Sequence, residues 1–244
     1  MTKPSHPLIY LLAGWLASFS FTACGQEQPG KTKAEQKTGN PEYYRSILDF
    51  NKKDSSWYMI EHLPTRKVGI EHAERGIIIP LDYDIAWELG GNRWFVMGRG
   101  IQKAIFDTLG NQLTPFENNY EVIASLKYNP DLAVVHQNRQ VFLLNPADQQ
   151  PVTGERYARI VELGNGFLGF VQAETALYAL GAPDGKRLTE FVYQVIERSQ
   201  ESHEKTAKKL GTLQAGHRVA AFAWLEQGFI CLDDEGREVE CIER

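Results

Sequence analysis

Tyr83, Tyr120, Tyr157 and Tyr193 recur at spacings of 37, 37 and 36 residues, and a fixed period of that length narrows the possible folds more than any other feature of the chain. Each tyrosine opens a short β-favouring piece that ends in isoleucine: Tyr83-Asp-Ile85, Tyr120-Glu-Val-Ile123, Tyr157-Ala-Arg-Ile160 and Tyr193-Gln-Val-Ile196. The flanks repeat too, because Glu88-Leu89-Gly90 and Glu162-Leu163-Gly164 stand two periods apart at the same distance after their tyrosines. Before each tyrosine comes an apolar run and a polar turn: Val68 to Gly76, Ala104 to Gly110, Val141 to Asp148 and Leu177 to Gly185, with a fifth from Phe229 to Gly236. Asn, Asp, Pro and Gly at these turns supply preset or positive φ, so each unit contains a tight reversal between strands. Further apolar runs, such as Trp94 to Met97 and Phe167 to Val171, bring each unit to three or four short strands. A unit this small cannot bury its own apolar face, so stability has to come from stacking on its neighbours.

The first unit, Val68-Gly69-Ile70-Glu71, a turn ending at Gly76, then Ile77-Ile78-Ile79-Pro80-Leu81-Asp82-Tyr83-Asp84, resembles the WG-repeat (KWG-type) family of bacterial β-repeats. The family's aromatic-Gly pair is Val68-Gly69 here, and its proline before the tyrosine recurs only as Pro115. The resemblance covers residues 57–244 and implies an interaction module without a shared catalytic centre. The expected fold is all-β, with tandem repeats of about 37 residues stacked as an open, solenoid-like array. A small closed β-propeller is the alternative, since a lone strand at Ser56 to Ile60 and a lone hairpin at Phe229 to Glu243 could pair to close a ring.

Composition agrees with this and excludes other classes. The 244 residues are 43% hydrophobic, which permits a real core, and 21 Gly with 11 Pro suit many short strands better than a helical bundle. Lys plus Arg total 26 against 31 Asp plus Glu, a net charge of −5, so no global positive field exists to hold a nucleic-acid backbone.

The N-terminus reads as an address. No charge falls between Lys3 and Glu27, and the apolar run Pro7 to Ala23 has the character of a secretory signal peptide. Phe21-Thr22-Ala23-Cys24 resembles a bacterial lipobox, with Phe21 where that pattern prefers Leu. The resemblance implies cleavage before Cys24, lipid on its thiol and amino terminus, and stable anchoring by two or three acyl chains. An ordinary cleaved signal peptide and an uncleaved anchor are the other readings. Gly25, rather than Asp, resembles the sorting pattern for the outer membrane, placing the protein in the bacterial envelope facing the periplasm. The expected organisation is a signal peptide over 1–23, lipidated Cys24 and a tether over 24–40, a lead-in over 41–56 and a β-repeat domain over 57–244. A charged insertion at about 197–217 reads as a solvated loop or short helix. Residues 25–40 contain Ala34 as their single apolar side chain, so they have nothing to bury.

Catalytic, cofactor and metal chemistry are not expected. Gly164-Asn-Gly-Phe-Leu-Gly169 matches G-x-G-x-x-G, yet it precedes a β-rich run instead of opening the helix that dinucleotide binding needs. The six histidines show no metal-ligand spacing. Asp82, Asp84 and Asp233-Asp234-Glu235 offer carboxylates at turns or strand edges. Cys231 and Cys241 lie five residues either side of Gly236, so a hairpin centred there sets them opposite each other. An oxidising compartment permits a disulfide between them, with two buried free thiols as the alternative. The expected function is therefore a non-enzymatic envelope lipoprotein, anchored in the membrane by lipid, whose repeats bind an envelope protein or polymer. The alternative is an envelope hydrolase or carbohydrate-binding accessory protein, with carboxylates and aromatics such as Trp87, Trp94 and Trp224 gathered on one face.

Overall fold

The computed structural model describes residues 42–48, 56–91, 93–163, 166–197, 219–239 and 241, in which short antiparallel strands collect into five small sheets. Sheet I holds β1 (Tyr43–Ile47), β2 (Trp57–His62), β3 (Lys67–His72) and β4 (Gly76–Tyr83). Sheet II holds β5 (Ile85–Leu89), β6 (Trp94–Arg99) and β7 (Gln102–Asp107), and sheet III holds β8 (Val122–Ser125), β9 (Ala133–Gln137), β10 (Gln140–Asn145) and β11 (Gln150–Pro151). Sheet IV is β12 (Arg159–Glu162), β13 (Leu168–Val171) and β14 (Tyr178–Gly181). Sheet V is β15 (Val195–Glu197), β16 (Val219–Leu225), β17 (Gly228–Asp233) and β18 (Glu238–Val239). Within every sheet the strand order is the chain order, so each is a meander. The protein is all-β, and its only helical element among the described residues is one 3-10 turn at Phe116–Asn118.

The four tyrosines occupy one place in this scheme. Tyr83 lies opposite Val68 on β3, Tyr120 opposite Lys103 on β7, Tyr157 opposite Val141 on β10 and Tyr193 opposite Tyr178 on β14, in each case the third strand of its sheet. All four rings are buried, and Tyr157 stacks on Phe170 of the following sheet with centroids 4.4 Å apart. Burying a ring of this size stabilises by about 2–3 kcal/mol, and the aromatic pairing adds about 1 kcal/mol. The period in the sequence is thus a packing period.

Each hydrophobic core is shared by two successive sheets. Trp57, Ile70 and Tyr83 of sheet I meet Phe95, Met97 and Phe106 of sheet II, and Val96 and Ile105 on the other face of sheet II meet Ile123, Val135 and Phe142 of sheet III. Val141, Leu143 and Tyr157 then meet Leu168 and Phe170 of sheet IV, whose Leu180 packs with Ala221, Ala223 and Leu232 of sheet V. Polar ties follow the same rule one step along. Ser125 Oγ accepts from Gly90 N, and the Glu162 carboxylate accepts from Lys127 N and Tyr128 N. Ser125 and Glu162 each stand five residues after a repeat tyrosine.

The reversal that follows the third strand also recurs. At Asp107–Asn111, Ala182–Lys186 and Asp233–Arg237 the fourth residue is a glycine with φ of 88°, 89° and 79°, and its N–H donates to the carbonyl of the first. Only glycine adopts this conformation freely beside a neighbour so close, since a Cβ on Gly110 would stand 2.4 Å from the Ile78 carbonyl oxygen of sheet I.

Three expectations need correction. Ser56 to Ile60 is not a lone strand: Trp57–His62 sits inside sheet I, while the final hairpin belongs to sheet V, so the two are not partners. The lead-in at 41–56 supplies a strand, β1, whose register against β2 runs from Tyr43 opposite His62 to Ile47 opposite Tyr58. The last hairpin is centred one residue earlier than Gly236, so Cys231 lies opposite Val239, because the three-residue turn with its glycine bulge shortens one arm. Cys24, the tether and the insertion from Arg198 onward lie outside the described residues.

Candidate binding surface

Asp84 and Asp233, carboxylates that the sequence offers at turns or strand edges, are engaged inside the fold. Asp84 accepts from Lys67 Nζ at 2.6 Å and from Gly100 N at 2.7 Å; the Lys67 bond, then the Gly100 bond, holds its carboxyl below the ordinary range. Asp233 is fully buried and accepts from Glu235 N, Arg237 N and Arg237 Nε. Burial pushes its pKa up, but these bonds outweigh burial and leave it below the usual carboxylate value. Asp107 repeats this arrangement with Leu109 N, Asn111 N and Asn111 Nδ2, and its pKa is lowered for the same reasons. Glu155 is tied to Arg187 and accepts from the Tyr157 hydroxyl at 2.7 Å.

The aromatic face expected for a carbohydrate site is not assembled. Trp87 and Trp94 pack into the core between sheets II and III, where the Trp87 indole N–H donates to the Ile123 carbonyl at 3.1 Å. Trp224 alone of the three is exposed, beside Phe229 at 5.3 Å. Cys231 and Cys241 form a disulfide with Cα atoms 5.4 Å apart, reached diagonally across the shifted register. His62 Nδ1 lies 2.7 Å from Thr65 Oγ1 and His72 meets the edge of Trp57. Among the described residues no three His, Cys, Asp or Glu side chains converge as metal ligands. Gly166, with φ of 94°, leads directly into strand β13 rather than into a helix.

What the fold does assemble is an end. The residue after each of the first two repeat tyrosines caps the turn between the second and third strands of the adjoining sheet: Asp84 accepts from Gly100 N, and Glu121 from Asn138 N. The next residue along is an exposed apolar one in three of four units, Ile85 at 41%, Val122 at 44% and Val195 at 37%, with Arg159 as the exception. Ile101 projects from the same set of turns. At sheets IV and V the connector and turn part to leave a cavity of about 360 Å³ lined by Leu177, Val192, Gln194, Leu225, Glu226 and Gln227. The side chains of Gln194, Glu226 and Gln227 have no partner among the described residues, so an apolar floor is rimmed by two amides and a carboxylate. Such a site suits an amphipathic group. The sequence shows apolar residues two places after the tyrosines, but alternation alone does not distinguish an exposed strand start from a covered one.

No family model matches the chain, and no curated protein does. Among solved structures it aligns with Hsv2 of Kluyveromyces marxianus at 12% identity, over 79% of this chain and 60% of that one, with a TM-score of 0.37. It aligns with Kluyveromyces lactis Hsv2 at 13%, over 78% and 62%, TM-score 0.34, and with BBS1N from its complex with ARL6DN at 16%, over 84% and 66%, TM-score 0.33. The chain spans about three-fifths of the length of the Hsv2 structures. The fold described above rests on its own strand registers.

Proposed function

We propose that this chain is an envelope lipoprotein, anchored through Cys24, whose stacked sheets form an open array that binds an envelope protein or polymer without chemistry of its own. The observation that carries the binding reading is the row of exposed apolar residues at equivalent strand starts, Ile85, Val122 and Val195, ending at the cavity beside Val192. Exposed apolar side chains repeated in register along one end offer an extended partner several equal footholds. The carboxylates of Asp84, Asp107, Glu155 and Asp233 each answer a structural donor, which favours recognition over acid–base chemistry. The open arrangement is supported by the exposure of Trp224 and Phe229 on the last sheet, a face that closure of a ring would cover. Anchoring is supported by the lipobox-like Phe21-Thr22-Ala23-Cys24 and the polar stretch after it.

The two halves of the proposal have separate tests. Cells labelled with tritiated palmitate should mark the wild type and not Cys24→Ser; label retained by Cys24→Ser removes the anchor. A photo-crosslinking residue at Val122 should capture a discrete envelope component, whereas one at Asp148, on a turn between third and fourth strands, should not. Equal capture at both positions removes the binding surface.

A further inference from the structure

The four junctions between a repeat tyrosine and the sheet that follows share one backbone bond. Asp84 N donates to the Gly98 carbonyl, Glu121 N to that of His136, Ala158 N to that of Val171 and Gln194 N to that of Trp224, at 2.8 or 2.9 Å. This bond aligns the units residue by residue. Two places beyond the accepting carbonyl stand Gly100, Asn138, Ala173 and Glu226. In the first two junctions the carboxylate after the tyrosine caps that place, Asp84 accepting from Gly100 N and Glu121 from Asn138 N. In the third junction both positions are alanine. In the fourth they are Gln194 and Glu226, so the carboxylate has passed from the connector to the turn. Its side chain has no hydrogen bond or ion pair among the described residues, and the cavity of about 360 Å³ stands at this uncapped place.

We infer that the cavity takes a lysine side chain of a partner protein, its ammonium held by Glu226, Gln194 and Gln227 and its methylene stem laid on Leu177, Val192 and Leu225. This names the partner's chemistry at one end of the proposed binding surface and rests on that reading. An ammonium has three N–H donors and no acceptor, and the rim offers three side chains with acceptor oxygens. Glu226 gives the rim a negative charge, which favours a cation. Among the described residues the lining holds no basic side chain to receive an anion, and no aromatic ring on which a guanidinium could stack or a quaternary ammonium be caged.

Size and place favour a side chain over a larger ligand. The volume is near the lower end of the range of about 300–1,000 Å³ for small-molecule sites. Val192, Gln194, Glu226 and Gln227 are themselves exposed, so the cavity is open to a group reaching in from a larger molecule. Val195, the last of the exposed row, lies opposite Trp224, two residues before Glu226, so a partner lying along Ile85, Val122 and Val195 reaches the cavity without leaving the row. Glu197 and Val219, the described residues that flank the insertion, lie at the other end of β15 and β16 from this turn. A lone exposed charged contact is weak, so a single amine binds in the millimolar range and the partner's other contacts supply the rest.

The test titrates the purified full chain, labelled at its Leu and Val methyl groups, with Nα-acetyl-lysine methylamide. The methyl signals of Leu177, Val192 and Leu225 should shift, whereas the Nε-acetylated amide, which lacks the charge, and pentanoate should leave them in place. Glu226→Gln should weaken binding about 10-fold or more, and Glu74→Gln, on a turn of sheet I, should not, with unchanged methyl signals in sheets I to III showing that both variants are folded. No shift with the lysine amide, or equal shifts with its acetylated form, overturns the inference; if a photo-crosslinker at Val122 still captures its component, the binding surface stands without the lysine. The second arm treats cells expressing the full chain with a carbodiimide, which condenses a carboxylate with an amine in contact with it. Mass spectrometry should find the Glu226 side chain joined to a lysine of another protein. Methyl shifts without such a joined lysine assign the cavity to a free amine and overturn the partner assignment, while a joined lysine with no capture at Val122 keeps the cavity and removes the row.

Discussion

Sheets I and V, the first and last among the described residues, are built on one plan and turn different faces outward. Both have four strands in chain order, and both bury one face against an inner sheet. Sheet I turns outward Arg45, paired with Glu71 and lying over Tyr58, beside the exposed Ile47 and Ile77. Sheet V turns outward Phe222, Trp224 and Phe229 and pins its last strand by the Cys231–Cys241 disulfide. The contrast shows that repetition determines the inner faces only. The two outer faces are free to differ, and a difference of this kind is where a repeat protein acquires a partner.

The comparison is sharpened most by breaking an inner junction. Tyr157→Ala removes a buried ring stacked on Phe170 and leaves the Glu155 carboxylate without its hydroxyl donor. A loss of about 3–5 kcal/mol is expected, as for other buried aromatic truncations. Trp224→Ala, on the open face, should cost the monomer under about 1 kcal/mol, because a half-exposed side chain loses little burial. Denaturant midpoints of the two variants check this. Equal losses would mean that the outer face of sheet V is covered within the chain.

How far all this was legible in the sequence depends on whether packing repeats. The tyrosine period could be read because four equivalent rings occupy four equivalent junctions, and the glycine turns could be read because positive φ restricts the residue. Strand β1 escaped notice, since Tyr43-Tyr-Arg-Ser-Ile47 has no glycine turn and no repeat tyrosine, and it is defined by backbone pairing with β2. Symmetry about Gly236 misplaces the register of the final hairpin, because the bulged turn moves the centre to Glu235. In sequence the exposed row at Ile85, Val122 and Val195 reads only as β-favouring. Covered and uncovered faces alternate alike, so the inner and outer faces of sheet V look the same until the sheets are stacked.

The next largest effect concerns the pinned end. Opening the Cys231–Cys241 bond frees a closed loop of about 11 residues, which costs about 2–3 kcal/mol in the chain-entropy account. The loss should be local. Hydrogen exchange after Cys231→Ser with Cys241→Ser should quicken in β17 and β18 while β2 and β3 of sheet I keep their protection. Uniform loosening across both sheets would show that the ends are not independent units.

The smallest expected effect separates the two ends by pH. The turn that closes sheet V contains Asp233, buried and held by Glu235 N, Arg237 N and Arg237 Nε, whereas the corresponding turn of sheet I is Ala73-Glu74-Arg75 and holds no such carboxylate. Burial raises the Asp233 pKa, yet the hydrogen bonds to Arg237 and Glu235 bring it below its unfolded value. A group with a depressed folded pKa contributes stability that is complete above its unfolded pKa, about 3.9, and is lost as the pH falls through the lower folded value. Acidification below about pH 4 should therefore loosen the turn of sheet V, and the matching Asp107 turn of sheet II, before the first turn of sheet I. Asp233→Asn keeps an acceptor oxygen without the charge and should flatten this acid dependence at β17 and β18. Hydrogen exchange followed from neutral to acid pH decides it: if sheet I opens first, the ion pair of Arg45 and Glu71 is the weaker end, and the order of the two ends is reversed.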